Sequence, residues 1–477
     1  EWKEVGIKYT QEQLKKVVAM RLAYELEQGV QNIQYSILCL MTTCGQAPFL
    51  TLFLQLDDDD PYIDYTAMII EEIIKQRTQG IKNEDGKYIT PSFPKLIYCL
   101  DENNCLEGGR FDYITKMAAK CTIKRSYPDY ISAKIMREHF DGEVFSCMGC
   151  RSFLSPWKKT DWYVKMMGEP ESEIGKYLWE GRFNQGVVTI NLPQIAIIAD
   201  HDMDKFWSLL EERLALCYKA LLLRHHLLEG TSVESSPLHW RFGGIARLER
   251  GATIDKLLHD GFSTISLGYI GIYETVYALI GVSHTTPEGK DLAFKIMNRL
   301  ADACTQWKEQ TGLGFGLYGT PAESLCYKFC QYDAEHFGII ENVTDKGYYT
   351  NSFHIDVREE INAFDKFAFE APFQKISSGG CISYCEIPNL EQNQPLVEKL
   401  INYIIRYGEF NSKSDYCFAC GFEGQIDMDE NADWVCPCCG NKDMKKMYVS
   451  RRTCGYLGSN QWNLGKRKEM KLRVEHV

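Results

Sequence analysis

Apolar residues at helical spacing open the chain. Leu14, Val17, Val18, Leu22 and Leu26 recur every three to four positions and predict a long core helix over Gln11 to Leu40. The period then changes. PFLTLFLQL, from Pro48 to Leu56, has strand length and is closed by Asp57 to Asp60 and Pro61. Four consecutive aspartates point in different directions, which suits a solvated turn better than a metal site. Met68 to Gln76 reads as helix and Lys95 to Leu100 as another short strand. From Asn184, the run QGVVTINLPQIAIIA is rich in Val and Ile and has no helical period before its proline, which predicts a buried strand. A strong helix over Asp204 to Leu228 follows, then a loop, then an apolar segment from Gly261 to Ile280. Alternation of this kind marks an α/β sheet or barrel. No repeat or low-complexity linker interrupts it, and the clearest compositional boundary lies near Asn411, beyond which Cys and Gly crowd together.

Composition narrows the function. The chain has 477 residues, 45% hydrophobic and 25% charged, which is the make-up of a globular protein of one large or a few smaller domains. Its net charge of -12 argues against a nucleic-acid partner, because no general positive field would draw in a polyanion. No apolar run approaches the roughly 20 residues of a membrane span. The chain opens with Glu1 and carries no leader pattern, so a fragment or processed chain is expected. Nineteen cysteines, an odd number spread over a long chain, fit thiols kept for metal or catalysis in a reducing cytoplasm better than a disulfide framework.

The tail carries the sharpest local signal. Cys417 and Cys420 form one CxxC knuckle, and Cys436 and Cys439 in CPCCG form a second, with 15 residues between the pairs. Four thiolates at that spacing predict a tetrahedral Zn2+ ribbon, with Cys438 competing for a place in the second pair. Alone, such a ribbon would suit a nucleic-acid or protein-binding module.

Sixteen residues past Cys439 stands Gly455, in RRTCGYLG. This segment behind a four-cysteine ribbon resembles the anaerobic (class III) ribonucleoside-triphosphate reductases, which are glycyl radical enzymes. The resemblance extends through MGCRSFLSP at 148–156, GRFNQGVVTINLP at 181–193, STISLGYIGIYE at 263–274, GLYGTPAESLCY at 316–327 and TDKGYYTNSFH at 344–354. It implies a ten-stranded α/β barrel of two five-stranded halves, incomplete at its N-terminus. The partial barrel would occupy 1–410, with a fingertip loop near 147–156, the zinc ribbon 411–445, and a glycyl radical domain 446–477.

The resemblance also assigns chemistry: anaerobic, radical reduction of ribonucleoside triphosphates to deoxyribonucleoside triphosphates for DNA precursor synthesis. Gly455 would store the radical, because a glycine Cα lies between an amide nitrogen and a carbonyl that delocalise the electron; a glycine of a tight turn is its bland reading. Cys150 would become the thiyl that removes the 3′ hydrogen. Asn184 would hold a ribose hydroxyl, with Asn191 the competing choice. Glu323 would take or hydrogen-bond a proton as water leaves, unless it merely caps a helix. Thr320, Pro321, Ala322 and Ser324 read as a helix start with Pro at the first position, a natural phosphate site at Thr320, Ala322 and Ser324. Cys147 would be a resolving thiol for a thioredoxin- or glutaredoxin-type reductant, or a spectator, whereas Glu323 favours formate; sequence does not separate the two. The implied partners are nucleotide substrates, ATP at an allosteric region, a radical-SAM activase with a 4Fe–4S cluster and S-adenosylmethionine, and a second copy in a homodimer.

Departures from the family pattern are as informative. The family's other active-site cysteine lies upstream of this chain, and Cys44 in TTCGQAP aligns where many members have Asn, so it does not fill that role. The alternatives are another glycyl radical enzyme, of the formate-lyase or dehydratase type, and a non-catalytic zinc-ribbon binding protein.

Overall fold

The computed structural model describes residues 10–40, 49–149, 151–322, 324–390, 393–404, 407–453, 456–459 and 462–476. They form two compact units, one of Glu1–Tyr130 with Leu390–Asn402 and one of Ile131–Asn389 with Tyr403–Val477.

In the first unit, Thr10 and Gln13 make a reciprocal capping box that starts the helix Gln11–Cys39. This helix is not the core element its periodicity predicts. Val18 is 55% exposed, Leu14 and Leu22 are exposed too, and burial is confined to Val30, Gln34 and Ile37. Those residues lie in the half that meets the helix Ile63–Gln79, where Gln76 Nε2 donates to the Glu27 carbonyl at 2.9 Å. Periodicity fixes which residues share a face, not whether anything covers it. The strands Thr51–Leu54 and Lys95–Leu100 pair in parallel, and the second is buried along its length. Asp57 to Asp60 make the expected turn: Asp57 Oδ1 accepts from Asp59 N and Asp60 Oδ1 from Tyr62 N.

The second unit holds a three-stranded parallel sheet in the order Asn184–Asn191, Thr264–Ile270, Gly314–Tyr318. Helices Leu192–Ala199, Met203–His226, Ile272–Ile280 and Pro287–Thr311 pack on it through Ile195, Phe206, Leu210, Val276, Ile296 and Met297. The middle strand is buried throughout. Asn184–Asn191 is not: of its residues Ile190 alone is fully buried and Val187 is 37% exposed, and among the described residues it lies at the edge of this sheet. A Val/Ile-rich run marks a strand equally well in either place. The strand ends at Asn191, which caps the next helix with Pro193 in its first turn.

Two further strands of this unit, Ser383–Glu386 and Tyr407–Asn411, pair in parallel and are buried on both faces. The tail adds the ribbon strands, the hairpin Ser450–Thr453 with Tyr456–Ser459, and the helix Leu464–Leu472. The sixteen described cysteines are all free thiols, and no helix among the described residues is long and apolar enough to cross a membrane.

Candidate functional site

The strand Tyr407–Asn411 organises the site. Successive side chains of a strand alternate between faces. Gly408 and Phe410 face the helix Ala363–Ile376, where Phe410 meets Phe367 edge-on. Tyr407, Glu409 and Asn411 therefore share the other face, and each binds a different part of the site. The Cys147 thiol donates to Tyr407 Oη at 3.4 Å. Arg151 Nη2 and Arg452 Nη1 both pair with Glu409 Oε2, the latter at 2.7 Å. Asn411 Oδ1 accepts from Arg452 N at 3.1 Å.

Arg151 follows Cys150 in the fingertip loop, and Arg452 lies three residues before Gly455. One buried carboxylate thus holds both loops. Its side chain is 0% exposed, as is that of Arg452, and that of Arg151 is 2% exposed. Charges so far from water persist only when each is paired.

The fingertip loop is closed by Arg151 N donating to Met148 O at 2.7 Å and Met148 N to Ser152 O at 3.0 Å. A second turn supports it from outside. Phe153 N donates to Gly379 O at 2.9 Å, and a Cβ at Gly380, whose φ is +105°, would lie 1.9 Å from the Arg151 carbonyl oxygen. Only glycine admits that approach. At the loop's far end Ser155 N donates to Thr264 Oγ1 at 2.8 Å, which fixes it to the middle strand of the parallel sheet.

The hairpin Ser450–Thr453 with Tyr456–Ser459 is joined by residues 454 and 455. Its adjacent arginines point to opposite faces. While Arg452 reaches Glu409, Arg451 grips Asp415 of the ribbon with both nitrogens, at 2.6 and 2.8 Å, and lies 5.0 Å over the Trp434 ring. Arg473 of the C-terminal segment closes the cage by donating to Glu386 Oε1 and to the Arg452 carbonyl.

In the ribbon, Cys417, Cys420, Cys436 and Cys439 place four Sγ atoms within 4.8 Å of one another, and Cys438 is an exposed thiol outside the group. Cys417–Cys439 and Cys420–Cys436 are each 3.7 Å apart. A tetrahedron with Zn–S bonds of about 2.3 Å has edges of about 3.8 Å, so the thiols fit Zn2+ closely. Burial pushes the Cys417 thiol up, but N–H groups of Cys420 and Ala419 and the neighbouring thiols outweigh it and lower its pKa, while Cys420 and Cys439 beside it are held up, so the metal-free thiols share protons among themselves. A thiolate at neutral pH is the form that binds metal.

Of the two asparagines, Asn191 is engaged away from the fingertip: its Oδ1 caps Gln194 N and its Nδ2 donates to Asp333 at 2.8 Å. Asn184 lies beside the loop, donating to Ser266 Oγ at 2.6 Å and Ser152 Oγ at 3.3 Å. The expected helix start at Pro321 is displaced. The helix is Leu325–Phe337, with Ser324 at its N-cap making no side-chain capping bond. Residues 320–322 are a loop, because Ala322 takes φ +41° and Asn351 Nδ2 ties down the Pro321 carbonyl, neither of which suits a helical first turn. Thr320 Oγ1 accepts from Ala322 N at 3.3 Å inside this loop. Cys150, Glu323, Gly455 and Cys44 lie outside the described residues.

Sequence reasoning missed Arg151, Glu409, Arg452 and Gly380. The alternation in YGEFN, with polar residues at every second place, was the available signal for Glu409, and the doubled arginine before Gly455 the signal for its partner.

Residues 5–476 match the family described as anaerobic ribonucleoside-triphosphate reductase. The chain is 38% identical over 469 residues to the anaerobic ribonucleoside-triphosphate reductase of Escherichia coli K12, covering 96% of this chain and 62% of that protein. It is 39% identical over 460 residues to that of enterobacteria phage T4, covering 94% and 71%. The chain thus spans about 62% of the length of the first of these. Its fold is similar to the crystal structure of the anaerobic ribonucleotide reductase from Thermotoga maritima with glycerol in the active site, with a TM-score of 0.63 at 17% identity, over 96% of this chain and 69% of that one. The same enzyme's complex with dATP and CTP matches with a TM-score of 0.63, over 96% and 70%.

Proposed function

The chain belongs to the anaerobic ribonucleoside-triphosphate reductase family, and on that footing we propose that it carries the radical-bearing and thiyl-bearing loops of a ribonucleoside-triphosphate reductase. The observation that supports this most directly is the shared carboxylate. Glu409 holds the arginine next to Cys150 and the arginine of the Gly455 hairpin in one ion pair, so the two loops keep a common register. Hydrogen transfer between the loops demands close placement, which a shared carboxylate supports.

In this reading the radical is stored at Gly455 and passed to Cys150, whose sulfur takes the substrate's 3′ hydrogen. The 2′ hydroxyl leaves as water, and the 3′ hydrogen is returned at the end. Asn184 holds a ribose hydroxyl from the rim of the loop, its amide shared with Ser152 and Ser266. Glu323 moves the proton that departing water needs. The two electrons come from formate, oxidised to carbon dioxide, or from a dithiol oxidised to a disulfide with Cys147 as one thiol. The burial of Cys147 against Tyr407 suits a packed thiol and favours formate. Substrate phosphates lie at Thr320, Ala322 and Ser324, before the helix Leu325–Phe337. The chain's strands form part of a ten-stranded α/β barrel over 1–410, incomplete at its N-terminus, followed by a ribbon, 411–445, and a radical domain, 446–477. Zn2+ in the ribbon stiffens the base of the hairpin through Asp415 and Arg451. A radical-SAM activase with a 4Fe–4S cluster and S-adenosylmethionine, ATP-dependent allostery and a homodimer complete the proposal.

The test separates storage from use. After anaerobic activation, Cys150→Ala keeps the glycyl doublet in the paramagnetic spectrum but turns over no nucleotide. Air then cleaves the activated protein at Gly455 and releases a piece of about 22 residues, from 477 minus 455. Gly455→Ala loses both signal and cleavage. Turnover by Cys150→Ala, or a cut in Gly455→Ala, refutes the assignment.

A further inference from the structure

A second cluster of metal-ligating side chains lies outside the ribbon. His225 stands in the last turn of the helix Met203–His226, Glu229 four residues on, and His259 in the loop before the middle strand. One ligand atom of each lies within 4.8 Å of the others. Glu229 Oε1 is 3.7 Å from His225 Nε2 and 3.8 Å from His259 Nε2. Those separations are too long for hydrogen bonds. They approach the edge of about 3.4 Å expected of a tetrahedron with metal–ligand bonds of about 2.1 Å.

The surroundings prepare these atoms for an ion. The His225 side chain is 2% exposed, and its Nδ1 lies 2.9 Å from Gln185 Oε1. Gln185 cannot present its amide nitrogen there, since Nε2 already donates to Ser263 Oγ at 2.7 Å and to the Leu258 carbonyl at 3.1 Å. The oxygen must therefore accept, His225 must carry its proton on Nδ1, and the Nε2 lone pair is aimed at Glu229 and His259. A ligating histidine is set in this way by a partner on its other nitrogen. Gln185 reaches His225 because it is the extra residue of a bulge, the pairing passing from Asn184↔Thr264 to Gly186↔Ile265. Glu229 is oriented likewise: His226 Nδ1 lies 3.1 Å from Oε2, leaving Oε1 for the cluster. The helix C-terminus adds a field that favours a cation.

We propose that His225, Glu229 and His259 form a second divalent-metal site, separate from the four-cysteine centre. Two imidazoles and a carboxylate suit Zn2+, with water in the fourth position on the side where Glu229 and His259 are partly exposed. The ion joins the end of a helix to the loop 255–262, whose Gly261 and Phe262 carbonyls Arg182 also holds. Through Gln185 it steadies the bulge next to Asn184.

Equilibrium dialysis of the chain against micromolar Zn2+, with metal counted by mass spectrometry, tests this. Wild type holds two zinc ions per chain, His259→Ala one, Cys436→Ser one, and the double variant essentially none. His259 is partly exposed, so its replacement leaves the core intact, and Zn2+ raises the melting temperature of Cys436→Ser but not of the double variant. Should Cys436→Ser fail to fold, wild type against His259→Ala decides alone. One zinc in wild type, or two in His259→Ala, overturns the site.

Discussion

Replacing Glu409 by glutamine isolates the charge that holds the two loops together. The side chains are nearly the same size, so no cavity forms. What changes is that Arg151 and Arg452, buried with side-chain exposures of 2% and 0%, lose their shared counter-charge. Removing one member of a buried ion pair costs on the order of 3–5 kcal/mol, because the partner is left charged without compensation. Both guanidiniums pair with this carboxylate, so its loss is felt by two charges. Against a total stability of about 5–15 kcal/mol that is a large fraction. Glu211→Gln is the control: Glu211 pairs with Arg299 through both oxygens, at 2.5 and 2.6 Å, but in partly exposed positions. An exposed pair contributes about 1 kcal/mol or less. Urea unfolding, followed by tryptophan fluorescence and analysed at a common slope, gives both values. Adding Arg452→Gln to Glu409→Gln should cost less than the sum of the single changes, because the second removes a charge the first has stranded. A loss for Glu409→Gln no larger than for Glu211→Gln would refute the account of a dry, shared carboxylate.

The remaining predictions concern the ribbon and pH. Cys436→Ser should hold one zinc fewer per chain and loosen the hairpin, read as faster proteolysis after Arg451 or Arg452; undiminished zinc would sink the four-thiolate assignment. Stability should fall as pH drops from about 6.5 toward 4. Burial holds His284 and His354 down to about 4 and His476 to about 3, and His476 Nδ1 accepts from the Glu386 amide, which only a neutral ring can do. A histidine whose folded pKa is depressed contributes stability present above its unfolded value and lost as pH falls toward the folded one. The slope is about 1.4 kcal/mol per pH unit for each such group. Asp356 and Glu469, held near 2, lose their contribution as pH falls from their ordinary carboxylate range toward 2, so the comparison of pH 7 with pH 5 reports the histidines. An unfolding free energy equal at pH 7 and pH 5 would contradict it.

The sequence by itself determined the features that depend on spacing along the chain. Two CxxC knuckles specify a four-thiolate group, because each knuckle fixes its own pair of sulfurs; the structure excludes Cys438 from it. The strand Lys95–Leu100 and the helix after Asp204 were legible from local period and composition. So was the turn at Asp57 to Asp60, whose carboxylates bind their own backbone. Tertiary structure decided what depends on neighbours distant in sequence. The apolar stripe of Gln11–Cys39 is largely uncovered, and Asn184–Asn191 is an edge among the described residues, since the same residues fit a strand with one neighbour or two. The start of the helix Leu325–Phe337 shifted because Asn351 holds the Pro321 carbonyl in a loop. Arg151 and Glu409 lie 258 residues apart, and their pairing, like the meeting of Gln185, His225 and His259, follows from which strand faces which loop. Spacing along a chain carries no trace of such meetings, because a long loop can close over almost any separation at little extra entropic cost.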